Sequence, residues 1–459
     1  MGEVKSKSRP TLTTGPIAKT LFLFSLPILL GNVLQSLNGS INSIWVGKFL
    51  GEQALAATSN ANIIFVFLLS SIFGIGMAAT ILIAQKVGAK NILEAKRVVG
   101  TSATFFLILS LVISLVGLLY SSLILEWMNT PYDAREMALA YTRIMFLSVP
   151  FMFGYNYIMS ILRGSGDSKT PFYFLILSVA LDIILNPILI FGIGPFPKLG
   201  VSGSALATFI AQFVSFITML VYLYRKKYFL LITVKDLYLL RIDWGIMRIL
   251  VKKGIPMGLS MIVATSSIIG LFGIINTFGS EATAAFGAAS QISNYVQMPS
   301  IAISGAVTSM VAQNIGAGKW ERVRKITWTG IGFSTLLSGT LVGLLYLFNR
   351  PVLLLFLPNT GEALHIGMVI NNSTLWSFII FGIMFVISGV VRANGAVIVP
   401  LLITFFALWI VRIPVAYYLG KLYGLDTLWV SFPISFTIAL ILIIPYYTFG
   451  RWKNTKMNR

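Results

Sequence analysis

The sequence has no cysteine, and His365 is the one histidine among its 459 residues. Disulfide bonds and thiolate metal sites are therefore excluded, and zinc sites or Ser/His and Cys/His catalytic groups lack their usual side chains. Acidic residues are also scarce, at 14, and they form none of the clusters that bind magnesium and phosphate in membrane transferases. We therefore expect a protein that is not an enzyme and has neither a cofactor nor a resident metal.

Charged residues make up only 10% of the chain, whereas residues of the hydrophobic class make up 57%. A water-soluble domain of this composition would lack polar surface, while lipid is a suitable solvent for it. Apolar runs of roughly 20 residues, enough to cross a bilayer, recur along the chain. They lie at 17–46, 55–83, 98–125, 137–162, 170–193, 202–224, 248–277, 283–311, 326–349, 364–391, 398–420 and 428–449. These runs predict an all-α integral membrane protein with twelve transmembrane helices.

The formal charge of +20 is distributed unevenly along the chain, which argues against nucleic acid as a partner. With twelve spans, 27 of the 34 basic residues fall in the tails and loops of one side. Cytoplasmic loops of membrane proteins carry such an excess of Lys and Arg. We therefore predict a multi-pass protein of the inner (plasma) membrane, surrounded by membrane lipids, monomeric, and with both termini cytoplasmic.

The chain also contains an internal repeat, which appears when it is shifted against itself by 228 or 229 positions. Pro27 then meets Pro256, and the segment Ala-Gln-Lys-Val-Gly-Ala at 84–89 meets Ala-Gln-Asn-Ile-Gly-Ala at 312–317. Because each copy contains six spans, both copies start on the same side of the membrane. This predicts two six-helix lobes related by a pseudo-two-fold axis along the membrane normal.

The repeat and the spans together give the predicted domain organisation. Its parts are a cytoplasmic N-terminal tail at 1–16, an N-lobe at 17–224, a cytoplasmic linker at 225–247, a C-lobe at 248–449 and a cytoplasmic C-terminal tail at 450–459.

One acidic residue, Asp182, lies midway along the fifth predicted span, while the other acids fall in loops, tails or helix ends. An ionised carboxylate without partners is unfavourable in a bilayer, so such a residue indicates a functional site. Burial favours its proton-bound form, whereas a bound cation favours the ionised form. Asn186 shares a helical face with Asp182, and Pro187 frees a backbone carbonyl one turn earlier. We predict proton or cation coupling here; the alternatives are an acid that fastens helices and a simple proline kink.

A polar stripe follows one face of the first predicted span, at Gln35, Asn38 and Asn42. In lipid such a stripe must face protein or water, so it either lines a cavity or hydrogen-bonds to neighbouring helices. We predict that these three residues, with Asn156 and Asp182, contact substrate. The predicted coupling group consists of Asp182, Asn186, Asn42, Asn156, Ser204 and Thr208.

Several short signatures resemble the multidrug and toxic compound extrusion (MATE) transporters of prokaryotes. They are the two Ala-Gln-x-x-Gly-Ala segments, Ser43-Ile44-Trp45-Val46-Gly47, and Arg163-Gly164-Ser165-Gly166-Asp167-Ser168-Lys169-Thr170-Pro171. The resemblance runs from about residue 17 to 450. It implies twelve helices in two lobes and export of amphipathic, often cationic compounds in exchange for protons or sodium.

The sequence departs from the family pattern at the predicted coupling site. Members of this type usually carry aspartate at the position of Asn42, and in the fifth helix an asparagine followed four residues later by the aspartate before proline. Here Asp182 comes first and Asn186 precedes the proline, so one carboxylate stands where two are expected. Some members place sodium-binding acids in the seventh and tenth helices, but the spans 248–277 and 364–391 contain no Asp or Glu. Protons are therefore favoured over sodium as the coupling ion.

These observations predict a secondary active multidrug exporter that works by alternating access and confers antibiotic resistance. The alternative is a lipid-linked oligosaccharide flippase of the same superfamily, which we expect to carry several cavity arginines for pyrophosphate. Arg412 is the one arginine near the middle of a predicted span, and its role is left open by the sequence.

Overall fold

The computed structural model describes residues 12–128, 130–359, 361–455 and 457, and these ranges are helical without any β-strand. The helices of the first half are α1 (Ile17–Leu50), α2 (Glu52–Gly88), α3 (Ile92–Trp127), α4 (Tyr132–Ser165), α5 (Lys169–Phe191) and α6 (Val201–Arg225). A short 3-10 helix, Val234–Leu240, lies in the connection to the second half.

The second half is more interrupted than the first. Its elements are α7 (Trp244–Ile275), α8 (Ser280–Gly316), α9 (Trp320–Leu347), α10 (Asn349–Leu353), α11 (Glu362–Thr374), α12 (Ser377–Ala393), α13 (Ile398–Phe405), a π-helical turn (Phe406–Arg412), α14 (Ile413–Tyr423), α15 (Leu425–Leu428) and α16 (Ser431–Phe449). Short 3-10 helices follow α7 at Asn276–Phe278 and α16 at Arg451–Asn454.

The helices account for the predicted spans. Within the described ranges, 10 helices are long and apolar enough to cross a membrane, and the number is 11 if α11 and α12, bent by 46°, are counted as one span. The remaining predicted span falls on α8, which is 37 residues long and rich in alanine and serine. The prediction of an all-α, multi-pass membrane protein is confirmed, and the bend between α11 and α12 was not predicted.

The chain divides into two compact units whose boundaries fall inside helices. The first unit contains Leu30–Gly254, and the second contains Leu12–Leu29 with the chain from Ile255 onward. The boundaries therefore lie two residues from the repeated prolines Pro27 and Pro256. The predicted tails lie partly outside the described residues, at 1–11 and at 456, 458 and 459.

Glycines allow close packing in the first unit, where α4 packs against α2, α3 and α6, and α5 packs against α6. A Cβ at Gly203 of α6 would lie 2.5 Å from the carbonyl oxygen of Leu189 in α5. A Cβ at Gly164 of α4 would lie 2.7 Å from the carbonyl oxygen of Thr80 in α2. Small residues at these positions let the helix backbones approach, as is typical of helix packing in membranes.

The second unit is built around α8, which packs against α9, α11 and α12. The Ser300 hydroxyl on α8 lies 3.0 Å from that of Ser334 and 2.9 Å from that of Ser338, both on α9. A Cβ at Gly382 of α12 would lie 2.5 Å from the hydroxyl oxygens of Ser300 and Ser334. Hydroxyl pairs and small residues thus hold these helices together.

The segment that precedes α1 is held by the end of α8. The backbone N–H of Leu12 donates to Gln313 Oε1 at 3.0 Å, and Asn314 Nδ2 donates to the Leu12 carbonyl at 3.1 Å. Lys319 and Arg322 donate to the carbonyls that follow, at distances of 2.8 to 3.0 Å. The repeated Ala-Gln-x-x-Gly-Ala signature at 312–317 therefore has a structural role as an anchor for the start of the first helix.

The 229-residue shift also matches Arg163 and Gly166 with Arg392 and Gly395, and each arginine lies in the last turn of a helix. Gly166, after α4, and Gly395, after α12, adopt φ values of 98° and 88°, a left-handed conformation that favours glycine. Asp167 then accepts hydrogen bonds from the backbone N–H groups of Lys169 and Thr170, at 3.1 and 3.0 Å, and so caps α5.

Candidate functional site

Asp182 lies on α5 in the first unit and is only 2% exposed. Its Oδ2 accepts hydrogen bonds from Asn38 Nδ2 and Asn42 Nδ2, each at 2.8 Å. Its Oδ1 accepts from Thr208 Oγ1 at 3.0 Å and from Asn186 Nδ2 at 3.1 Å. Side chains of α1, α5 and α6 therefore converge on one carboxylate. Hydrogen bonds to an ionised acceptor are the stronger ones in proteins, and four of them stabilise a buried charge.

The side chain of Asn186 also links the Asp182 backbone to the side chain of Asn42. It is fully buried, and its Nδ2 lies 3.0 Å from Asn42 Oδ1 as well as 3.1 Å from the backbone carbonyl oxygen of Asp182. Asn186 and Asp182 face the same direction because four residues separate them on a helix. Pro187 follows at once and cannot donate a backbone hydrogen bond.

Aromatic packing brings α1 and α5 together beside this cluster. The Trp45 ring lies 5.1 Å from the Phe49 ring and 6.0 Å from the ring of Phe191, the last residue of α5. One turn of helix separates Trp45 from Asn42, so this contact sets the direction in which the polar stripe faces. Gly31, further back on α1, leaves room for the side chain of Leu175, which would lie 3.1 Å from a Cβ there.

Two amide oxygens beside the carboxylate are buried without a hydrogen-bond partner in the described part of the chain, namely Asn38 Oδ1 and Asn186 Oδ1. A protonated carboxyl group is a donor and needs an acceptor, whereas an ionised one needs only donors. The two free oxygens belong to amides whose nitrogens donate to Asp182, so a half-turn of either amide would offer an acceptor to the protonated carboxyl group. Amide and carboxylate oxygens are also the ligands that hard cations prefer.

Three of the predicted site residues stand apart from these bonds. Asn156 donates to the Met152 carbonyl of its own helix at 2.9 Å. Ser204 is buried one turn before Thr208, and Gln35 is exposed one turn before Asn38. Among the described residues, none of the three hydrogen-bonds to Asp182. Their roles in coupling or substrate binding stay predictions.

Tyr141 was missed by the sequence analysis. This tyrosine of α4 is buried, and its phenol lies close enough to Asp182 to interact with it electrostatically. No pattern in the sequence distinguishes a single tyrosine in an apolar span as a site residue.

Arg412 is the corresponding unusual residue of the second unit. It ends the π-helical turn, is 3% exposed, and its Nε donates to Ser435 Oγ at 2.9 Å. Its guanidinium lies 4.4 Å from the Phe432 ring centre and 4.6 Å from the Phe436 ring centre, in the geometry of cation–π contacts. Its Nη2 has no hydrogen-bond partner in the ranges that the structure describes. Aromatic faces on α16 therefore surround this cation.

Comparison with known proteins gives results that agree with this architecture. The MatE family model matches residues 27–188 and 256–418, one copy in each half of the chain. The chain is similar to the probable multidrug resistance proteins YoeA and YpnP of Bacillus subtilis. It is 39% identical to YoeA over 99% of this chain and 97% of the relative, and 30% identical to YpnP over 97% and 98%.

A crystal structure of MATE in the straight conformation has the same fold, with a TM-score of 0.88 at 23% identity over 97% of this chain and 98% of that one. The family match covers more than half of the sequence and follows its internal repeat. The chain therefore belongs to the MatE family of membrane transporters.

Proposed function

We propose that this protein is a secondary active exporter that exchanges protons for amphipathic, often cationic organic compounds. The observation that carries the proposal is the Asp182 cluster, in which the one acid deep in a span meets four donors and two free acceptors. The names of the Bacillus subtilis relatives support drugs as the substrate class.

Exchange follows from competition for one carboxylate. When Asp182 is ionised, its negative charge attracts a cationic substrate, and the surrounding amides and hydroxyl hold it without further charge. When a proton binds, the attraction disappears, and the amide of Asn38 or Asn186 turns so that its oxygen accepts the new O–H. Alternating access of the two lobes then couples release of the compound to uptake of the proton.

The coupling group in this proposal is Asp182 with Asn38, Asn42, Asn186 and Thr208. The protein acts in the plasma membrane, with both termini and the 225–247 linker in the cytoplasm, because 27 of 34 basic residues then share the cytoplasmic side. It is proposed to act as a monomer, and sodium is the alternative coupling ion.

Transport in proteoliposomes tests the proposal. The purified protein is reconstituted and the efflux of a fluorescent cation is measured under a pH gradient and, separately, under a sodium gradient. We expect efflux against a concentration gradient with the pH gradient alone. Transport that requires sodium and ignores the pH gradient would contradict proton exchange.

The matched variants are Asp182→Asn and Glu94→Gln, which each remove one carboxylate. Asp182→Asn keeps the size of the side chain and should abolish pH-driven efflux while the amount of folded protein stays within about twofold. Glu94, at the exposed start of α3, pairs with Arg97 and Lys86, so Glu94→Gln should keep coupled transport. Uphill export by Asp182→Asn with an ordinary pH dependence would place the coupling site elsewhere.

A further inference from the structure

The first unit contains a cavity of about 360 Å³ that the Asp182 site does not use. It lies between α3, α4, α6 and the connection that follows α6, and its lining is almost entirely apolar. Phe106, Pro150 and Phe216 line it from the three helices, and Tyr228, Leu231 and Leu240 line it from the connection. Its volume falls in the range of about 300 to 1,000 Å³ that is typical of ligand pockets.

The connection forms a fixed roof over this cavity. Thr104 Oγ1 of α3 donates to the Leu240 carbonyl at 2.6 Å, and Lys96 Nζ of α3 lies 2.6 Å from Asp236 Oδ2. The hydroxyl groups of Tyr228 and Ser165 are 2.6 Å apart, which ties the start of the roof to α4. The roof is therefore part of the folded unit and not a loose loop.

Glycine at position 100 makes this docking possible. A Cβ on Gly100 of α3 would overlap the backbone carbonyl of Leu239 in the roof. The helix and the roof thus approach each other at van der Waals distance.

Two basic residues adjoin the cavity lining along the chain. Arg225 and Lys227 are placed between Leu223 and Tyr228, which both line it. Both side chains are exposed, and neither makes a hydrogen bond or an ion pair within the described part of the chain. Lys227 adopts a left-handed conformation, with φ of 48°, as the chain turns from α6 into the roof.

The acidic residues near this region are already engaged. Asp236 is paired with Lys96, and Asp243 accepts from the backbone N–H of Gly245 at 2.9 Å at the start of α7. Asp167 caps α5 through its bonds to residues 169 and 170. The net charge of this region is positive, because these three acids are outnumbered by the basic residues Arg225, Lys226, Lys227, Lys235 and Arg241.

We propose that this cavity binds one acyl chain of an anionic phospholipid, whose phosphate contacts Arg225 and Lys227. The apolar lining suits the hydrocarbon, and the two exposed cations suit the headgroup at the membrane surface. Basic residues that follow a transmembrane helix attract the anionic lipids of the cytoplasmic leaflet. The inference rests on the predicted side of the linker and is independent of coupling at Asp182.

Native mass spectrometry of the purified full-length protein tests the site. The protein is titrated with phosphatidylglycerol or with phosphatidylcholine that carries the same acyl chains. We expect one phosphatidylglycerol to bind at least tenfold more tightly than phosphatidylcholine, since each basic residue contributes about fivefold. Equal affinity for the two lipids would overturn the proposal.

Charge variants locate the headgroup. Arg225→Gln combined with Lys227→Gln should reduce the preference for phosphatidylglycerol by about tenfold or more. Arg248→Gln combined with Lys252→Gln is the matched control, because these exposed residues of α7 carry the same charge but do not adjoin the cavity. An equal effect of the two double variants would indicate general surface charge and contradict the site.

Filling variants locate the acyl chain. Ala103 lines the cavity from α3, so Ala103→Phe should prevent binding of the tightest lipid, and the smaller Ala103→Leu should weaken it. The melting temperature of both variants shows whether they are folded. Binding that persists unchanged in a folded Ala103→Leu and a folded Ala103→Phe would place the lipid outside the cavity.

Discussion

Each unit contains one buried charged residue near the middle of a predicted span, and the two residues have opposite sign. Under the 229-residue shift between the family matches, which start at 27 and 256, Arg412 corresponds to Ile183, the neighbour of Asp182. Asp182 is surrounded by hydrogen-bonding side chains, whereas Arg412 is surrounded by two phenyl rings and one hydroxyl. A carboxyl group can gain and lose a proton, but a guanidinium keeps its proton in proteins. The repeat thus carries a titratable carboxyl group in one unit and a permanent cation in the other.

The largest expected effect separates these two roles. Asp182→Asn should reduce pH-driven efflux to the level of protein-free liposomes, while Arg412→Met should retain a pH dependence like that of the unmodified protein. Methionine fills apolar space of similar length and removes the cation. Efflux measured between pH 5.5 and 8 in proteoliposomes checks both variants. Loss of pH dependence in a folded Arg412→Met would show that the second unit takes part in coupling.

A smaller effect is expected from the amides around Asp182. Asn42→Ala removes one donor to the carboxylate, and a hydrogen bond to a charged group is worth about 1.5 to 3 kcal/mol. The ionised form loses this stabilisation, so the pH at which half of the transport activity remains should move upward by about one unit or more.

The control for this variant is Asn156→Ala. Asn156 has the same amide but donates to its own helix, so its removal should leave the pH profile in place. A shift of equal size in both variants would show that distant amides affect the carboxylate as much as bonded ones.

Packing should respond differently in the two units when one methyl group is added to a helix contact. Gly203→Ala in the first unit would press a methyl group against the backbone carbonyl of Leu189, which cannot move without the helix. Gly382→Ala in the second unit would meet serine hydroxyls that can rotate away. Overpacking costs about 1 to 3 kcal/mol, so the melting temperature should fall more for Gly203→Ala. A larger fall for Gly382→Ala would reverse this ranking.

The smallest effect is expected at the ion pairs of the two halves. The Lys96 ammonium, with Thr233, lowers the pKa of Asp236 to about 2. A lowered pKa stabilises the fold above the unfolded value of about 3.9, and this contribution is lost only as the pH falls through about 2. Hydrogen exchange of residues 232–243 should therefore be constant between pH 5 and 8, after correction for the intrinsic rate.

Substitution tests the same pair. Asp236→Asn should lower the free energy of opening of the roof, measured by hydrogen exchange, by less than about 1 kcal/mol, because the pair is partly exposed. Lys325→Gln breaks the more exposed pair with Glu321 on α9 and should change nothing measurable. An equal loss of protection from hydrogen exchange around both pairs would show that neither ion pair holds its segment in place.

The spans and Asp182 could be predicted because each stands out against its surroundings. An apolar run of 20 residues has few alternatives to a membrane helix, and one acid within such a run is unfavourable unless it has a function. Asn38, Asn42 and Asn186 followed from helical spacing alone. These inferences use composition and periodicity, which can be read from a single sequence.

Other features depend on how each helix is rotated against its neighbours. The polar residues Asn156 and Thr208 looked alike in the sequence, yet only Thr208 reaches Asp182. Tyr141 interacts with Asp182 only electrostatically, and no pattern in the sequence points to it. The bend between α11 and α12 and the π-helical turn before Ile413 are set by packing within the second unit, which one sequence does not display.

The anchoring of Leu12 has a consequence for the order in which the chain is made. Its partner Gln313 follows 301 positions later. At a synthesis rate of about 5 to 20 residues per second, the start of the first helix waits roughly 15 to 60 seconds before its anchor emerges. Until then these first turns can contact only lipid and the insertion machinery. The earliest segment to enter the membrane is therefore among the last to reach its final partners.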